Sequence, residues 1–234
     1  MAILVTLLAG LSFFVGYLIT LFFKKQKKLL IFSVGFAFSI IFGLVILHMI
    51  PESFELVSNK LLLVLFVLVG VIILKLLDKF VPDHHHSHKS DHMEHIGIIS
   101  ALALILHNVI EGTAIYTTAL SDVNMGLVMA LGVSFHNIPL GIQISSLIKD
   151  KKSKLFMIVL LVLSCLFGVI LINVFGLVID VMLKGILICI TIGMLLYILF
   201  AELYCEVKEH IKDKELYYGL ICGLIIIVIS HLFH

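Results

Sequence analysis

Five residues that can bind metal ions interrupt two otherwise apolar segments of this chain. His107, Asn108 and Glu111 lie in the first segment, and His136 and Asn137 lie in the second. A carboxylate inside a membrane span costs about 2.5–3.5 kcal/mol on insertion scales, so Glu111 requires a partner there. Imidazole and carboxylate groups are common ligands of divalent metal ions. The residue types therefore predict a metal cation as the partner of Glu111.

Helix geometry predicts that these ligands meet. Residues four apart on a helix share a face, with about 5–6 Å between their Cβ atoms, so His107 and Glu111 point the same way. The short polar turn 121–124 forces the two segments to be neighbouring antiparallel helices. Each histidine lies about 14 residues, or roughly 21 Å, from that turn, so the two imidazoles should lie at one depth. Two imidazoles and a carboxylate form a ligand set that zinc accepts, and the two asparagines can add oxygens or orient the ligands.

A buried hydrogen-bond network that only joins the helices is the alternative interpretation. A single histidine would favour that alternative, but three ligating side chains at one depth on adjacent helices favour a metal. Pro139 supports the metal, because proline has no backbone N–H to donate to the carbonyl four residues earlier. A backbone carbonyl without its helical donor is tolerated at membrane depth only where protein, water or an ion satisfies it. We therefore expect a cavity at this level.

The composition predicts an integral membrane protein of the all-α class. Hydrophobic residues make up 62% of the 234 residues and charged residues only 13%, and the mean hydropathy is +1.23. A helical span needs about 20 apolar residues, which gives one transmembrane domain, 1–234, with eight predicted spans: Ala2–Phe23, Leu29–Ile50, Leu61–Leu77, Ile96–Leu120, Met125–Ile148, Leu155–Ile179, Gly185–Cys205 and Leu216–Phe233. The first apolar run lacks the basic leader and cleavage site of a signal peptide, so we interpret it as a retained helix.

The distribution of lysines predicts the orientation of the spans. All sixteen basic residues are lysines, and only Lys60 and Lys184 fall on one side of the eight-span arrangement. Positively charged connections stay in the cytoplasm, so the lysine-rich side is predicted to be cytoplasmic. Both termini and the turn 121–124 are then outside.

Two further pairs of polar residues lie near the ends of predicted spans and could belong to a transport path. His48 and Glu52 lie four residues apart near the outer end of span two, and Glu202 and Glu206 have the same spacing near the cytoplasmic end of span seven. Either pair could attract a cation or pass it on. Ordinary solvated helix ends also carry such residues, and the spacing alone does not separate the two interpretations.

The predicted connection 82–95 is rich in histidine and is the longest polar segment of the chain. Such tracts bind metal ions, so a low-affinity metal buffer or sensor is one interpretation, and a solvated disordered loop is the other. We favour weak metal binding that transport does not strictly require, with these candidate ligands: His84, His85, His86, His88, His92 and His95.

These motifs together resemble the ZIP family (zinc- and iron-regulated transporter-like proteins) in its compact bacterial form. The most specific match is His107-Asn108-x-x-Glu111-Gly112, followed by His136-Asn137-x-Pro139. Two weaker matches support it: His48-x-x-Pro51-Glu52, and Gly193-x-x-x-Tyr197 with Glu202 and Glu206. The resemblance covers essentially the whole chain.

The resemblance implies that divalent cations pass towards the cytoplasm across the plasma membrane. The cargo is usually Zn²⁺ and often Fe²⁺, Mn²⁺ or Cd²⁺. It also implies a metal site between spans four and five, an inverted-repeat bundle of eight helices, and homodimers. Many relatives have a glutamate at the position of Leu140 and another near Gly168, and both help to bridge a second metal. Their absence here predicts one principal site.

A membrane-embedded zinc hydrolase is the alternative function. Two histidines and a carboxylate with an open coordination position also describe a catalytic zinc site. However, the sequence offers no second carboxylate at this depth as a general base and contains no His-Glu-x-x-His motif. A metal-sensing receptor would need an output domain, and the eight spans leave little chain for one. The sequence therefore favours a transporter over an enzyme or a receptor.

Overall fold

The computed structural model describes residues 1–22, 26–79, 89–175 and 181–231, and every regular element within those ranges is helical. Eight helices in the described ranges are long and apolar enough to cross a membrane. The all-α, eight-span fold predicted from the sequence is therefore confirmed. We label these helices α1 to α8 in chain order, with the following bounds: Ala2–Leu21, Lys28–Leu56, Lys60–Asp78, Glu94–Ser121, Val123–Leu147, Lys151–Val174, Val181–Glu209 and Lys214–His231.

Helices α2 and α7 continue past the ends predicted for them. The prediction ended α2 at Ile50 and α7 at Cys205, whereas the helices end at Leu56 and Glu209. A prediction based on apolar length stops where polar residues begin, because such residues are costly in lipid. In α2 the additional turns line a cavity, where their polar side chains are not in contact with lipid.

Each of these two helices also contains a six-residue π-helical segment. The segments are Leu44–Met49 in α2 and Ile198–Leu203 in α7. Such segments are rare and occur frequently at functional sites. Because α2 and α7 cross the bundle in opposite directions, the two segments lie towards opposite faces of the protein, which is consistent with an inverted repeat.

The helices pack mainly in four pairs: α1 with α5, α2 with α8, α3 with α7, and α4 with α6. Glycines at the contacts allow close approach. A Cβ atom at Gly112 of α4 would overlap the backbone of Cys165 in α6, and one at Gly70 of α3 would overlap the backbone of Ile190 in α7. In lipid, where apolar burial provides no driving force between helices, this close packing of small residues holds them together.

The α4–α5 hairpin positions the candidate site. Asp122 alone separates the two helices, and its side chain caps α5 by accepting hydrogen bonds from the backbone N–H groups of Asn124 at 2.8 Å and Met125 at 3.3 Å. The tight turn at Asp122 holds α4 and α5 antiparallel and fixes their register.

Asp150 caps α6 in the same way, by accepting a hydrogen bond from the Ser153 N–H at 2.7 Å. This hydrogen bond lowers the pKa of the Asp150 carboxyl.

Candidate metal centre

The carboxylate of Glu111 lies between the imidazoles of His107 and His136. Its Oε1 atom is 3.2 Å from Nε2 of His107, which lies one turn earlier on α4. The same oxygen is 3.1 Å from Nε2 of His136 on α5. The two rings are 6.0 Å apart between centroids. The structure therefore brings together the three residues that helix geometry predicted to meet, with one ligand atom from each within 4.8 Å of the others.

Burial strengthens the electrostatic attraction between this group and a cation. His136 is completely buried, His107 is nearly so, and the Glu111 side chain is 11% exposed. Imidazoles bind metal in the neutral form, so the three side chains together carry one negative charge when ready to bind. A divalent cation placed between them compensates that charge in a medium where Coulomb interactions are strong. Two nitrogens and one carboxylate also leave positions in the coordination sphere for water or amide oxygen.

Ser230 of α8 orients His136, and no sequence motif indicated it. The Ser230 hydroxyl donates to the Gly132 carbonyl at 3.0 Å, and its Oγ atom is 3.5 Å from Nδ1 of His136. A neutral imidazole that binds a metal through Nε2 carries its proton on Nδ1, and the Ser230 hydroxyl, whose own proton goes to Gly132, is placed to accept from that Nδ1–H group. The contact joins residues 94 positions apart, so only the tertiary structure reveals it.

The two asparagines follow His107 and His136 in the sequence and carry unsatisfied polar atoms. Both are completely buried. Nδ2 of Asn137 donates to the Ala9 carbonyl at 3.3 Å, whereas Oδ1 of Asn137 and both amide atoms of Asn108 have no hydrogen-bond partner among the described residues. A buried polar group without a partner costs about 1–3 kcal/mol, so such groups point to a bound water or ion. Their chemistry is compatible with oxygen ligation of a cation.

A cavity of about 320 Å³ reaches the group from one end of the bundle. Its lining includes His48 and Glu52 of α2, together with His107 and Glu111. The first predicted pair of path residues therefore shares a cavity with the candidate site. Two other lining residues, Lys184 and His231, belong to no motif that the sequence indicated as functional.

The second predicted pair of path residues lies apart from this cavity. Glu202 and Glu206 are both buried in the last turns of α7, and neither lines the cavity. Glu206 belongs to a second group that could hold a metal, with Glu209 and His210. Nδ1 of His210 is also 2.9 Å from Asp213. The structure places this acidic cluster at the opposite end of α7 from Lys184.

The prediction for the histidine-rich connection is wrong at its end. His84, His85, His86 and His88 lie outside the described residues, as does the side chain of His92. The helix that becomes α4 begins at Lys89. His95 is buried within it, with Nε2 at 2.5 Å from Oδ1 of Asp78. The other oxygen of Asp78 accepts a hydrogen bond from the Tyr197 hydroxyl at 2.8 Å. His95 is therefore a buried helical residue joined to Asp78 and not part of a loop, and its role as a metal ligand stays a prediction.

Comparison with known proteins finds one matching family and several similar chains. Residues 82–230 match the family described as ZIP Zinc transporter. The chain is 29% identical to a zinc transporter ZupT of Clostridium perfringens, over 98% of this chain and 94% of that protein. It is 26% identical to a ZupT of Chlorobium chlorochromatii, over 98% and 96% of the two chains. A ZupT of Escherichia fergusonii is 32% identical over 55% of this chain and 54% of its own length.

Proposed function

This chain belongs to the ZIP zinc transporter family, and from that premise we propose that it moves Zn²⁺ towards the cytoplasm through a site formed by His107, Glu111 and His136. One observation carries the proposal: Oε1 of Glu111 is within 3.2 Å of the Nε2 atoms of both histidines. Asn108 and Asn137 add amide oxygens or orient the ligands. The same ligand types also suit Fe²⁺, Mn²⁺ and Cd²⁺, which we propose as secondary cargo.

The position of the cavity and the distribution of lysines support the proposed direction of transport. The cavity opens at the C-terminal end of α2 and the N-terminal end of α7, on the face where Lys60 and Lys184 are the lysines among the described residues. The positive-inside rule assigns this face to the exterior of the plasma membrane. Ser100 and Gln143, towards the other face, are completely buried. The contrast between an open cavity on one face and buried polar residues towards the other supports an outward-open state. Closure of the cavity and opening of the inner side would then release the ion.

The site performs transport by exchanging one set of ligands for another. A hydrated cation entering the cavity loses water and gains the Glu111 carboxylate and two imidazoles. The lost hydration is replaced by fixed ligands, so the ion can reach membrane depth without the full cost of an unpaired charge. Glu202 and Glu206, buried near the inner end of α7, would then receive the cation on its way to the cytosol.

The hydrolase alternative receives no support from the site. A catalytic zinc needs a general base beside its bound water. Among the described residues, the group within ligand distance contains a single carboxylate, that of Glu111, and Glu111 is itself the proposed ligand. The relatives are named as transporters.

Zinc uptake into liposomes containing the purified protein tests the proposal. We expect wild-type protein to accumulate radiolabelled zinc, and Glu111→Ala to lose that uptake while remaining folded, since removal of a buried charge relieves an insertion cost. Glu215→Ala is the matched control, because Glu215 pairs with Lys28 outside the cavity. Wild-type rates in a folded Glu111→Ala variant would refute the proposed site.

A further inference from the structure

Two histidines that are remote in sequence meet in the same cavity and are not members of the three-residue group. His48 lies in the π-helical segment of α2, and His231 is the last residue of α8. Their rings are 4.9 Å apart between centroids, with an angle of 81° between the planes. Both side chains line the cavity that reaches Glu111.

The separation of these rings fits two imidazoles bound to one metal ion. Zinc–nitrogen bonds of about 2.0–2.1 Å in tetrahedral geometry place the two ring centroids about 5 Å apart. The observed perpendicular arrangement aims the edge of one ring at the other. Rotation of the rings about their Cβ–Cγ bonds would direct one nitrogen of each towards a common point, and the adjoining cavity leaves space for the ion and its water ligands.

The charges around the histidine pair also favour a cation. Glu52 and Glu55 line the same cavity, and Lys184 is the cationic side chain among its lining residues. Lys184 pairs with Glu52 through a 2.6 Å contact. Two carboxylates and one ammonium leave this region with one negative charge, and a low-dielectric cavity concentrates the resulting field. Glu55 or water can complete the coordination that two imidazoles begin.

We propose that His48 and His231 form an outer metal-binding site that takes a divalent cation such as Zn²⁺ from the exterior and delivers it along the cavity to Glu111. Its role in delivery rests on the proposed function, whereas metal binding by the pair does not. The competing explanation is aromatic packing, because edge-to-face ring pairs stabilise a protein without any metal. A test must therefore separate ligation from ring packing.

Substitutions of His231 make that separation. His231→Phe keeps a flat ring for packing but removes the nitrogen ligand, and His231→Cys removes the ring but supplies a thiolate that binds zinc. Both are placed in a Glu111→Gln background, in the full chain reconstituted in lipid nanodiscs. Radiolabelled zinc bound at equilibrium is then compared with that of the Glu111→Gln parent. The histidine-rich connection and the remaining ligands of the inner group are identical in all three proteins, so their contribution cancels in the differences.

We expect His231→Phe to bind about one zinc per protomer less than the parent, and His231→Cys to retain that zinc. Equal zinc binding by the parent and His231→Phe would overturn the proposal, since the rings would then only pack. If His231→Phe does not fold, as judged by gel filtration, His48→Phe makes the same comparison from α2.

In otherwise wild-type protein, we expect His231→Phe to raise the KM for zinc uptake about tenfold or more with little change in kcat. Absence of zinc uptake by the wild type would defeat the proposed function and leave the binding comparison to decide the outer site.

Discussion

The ammonium of Lys184 lies 2.6 Å from the carboxylate of Glu52, at the mouth of the cavity that leads to Glu111. The positively charged side chain of Lys184 is thus paired with a carboxylate that an incoming metal ion would approach early. The two side chains are 29% and 41% exposed, and ion pairs of that kind contribute only about 0–1 kcal/mol. A divalent cation can therefore displace the lysine easily.

We predict that Lys184→Gln lowers the KM for zinc uptake severalfold at low ionic strength. The substitution frees Glu52 and makes the potential at the mouth more negative, and the gain should shrink as salt screens it. Lys60→Gln is the matched control, because Lys60 lies on the same face but does not line the cavity. An unchanged KM in Lys184→Gln, or an equal decrease in the control, would show that the lysine does not compete with the metal.

Ser230→Ala should weaken zinc transport without unfolding the protein. The substitution removes the hydroxyl that lies 3.5 Å from Nδ1 of His136, and loss of an orienting partner of a metal ligand typically reduces metal affinity by about tenfold or more. Ser164→Ala is a suitable control, since Ser164 donates to the Leu161 carbonyl within its own helix. KM and kcat for zinc uptake are measured for both variants. An unchanged KM in Ser230→Ala would mean that His136 is oriented by other contacts.

We predict one metal ion per protomer at the three-residue group, and a second, adjacent ion in Leu140→Glu. Two divalent ions held close together repel strongly and need bridging carboxylates, whereas Glu111 is the only carboxylate in the group among the described residues. Leu140 is completely buried one turn after His136, where a glutamate could bridge. Anomalous scattering from zinc-soaked crystals measures the number of sites. Two well-occupied peaks within about 4 Å of each other in the wild type would contradict the prediction.

The histidines near the start of α4 should fall into two classes. We expect replacement of His84, His85, His86 and His88 by serine to reduce zinc uptake modestly at most, because a polar tract can concentrate metal without forming the path. His95→Ala should instead lower the melting temperature, since it removes a hydrogen-bond partner of Asp78. A hydrogen bond to a charged group contributes about 1.5–3 kcal/mol.

Uptake assays and thermal unfolding in detergent distinguish these outcomes. Complete loss of uptake in the correctly inserted serine variant would show that the tract is part of the path. An unchanged melting temperature in His95→Ala would show that Asp78 is held by Tyr197 alone.

The sequence by itself determined the eight spans and the pairing of His107 with Glu111, because both depend on local rules. Apolar length identifies a span, and residues four apart share a helix face. The short turn at Asp122 extended this reasoning to His136, since a tight hairpin fixes the register of two neighbouring helices. The end of α2 escaped prediction because its polar residues line a cavity, and the end of α7 because Glu206 is buried inside the protein.

Only the tertiary structure decided which remote residues join the site. Ser230 contacts His136, His231 contacts His48, and Lys184 pairs with Glu52. Each contact brings together helices that are far apart along the chain. Ser230, His231 and Lys184 lie near helix ends, where a serine, histidine or lysine is ordinary, so no local pattern distinguishes them. The packing of α8 against α2, and the way in which α7 meets α2 at the cavity mouth, are set by the close fit of whole helices, and that fit gave these ordinary residues their partners.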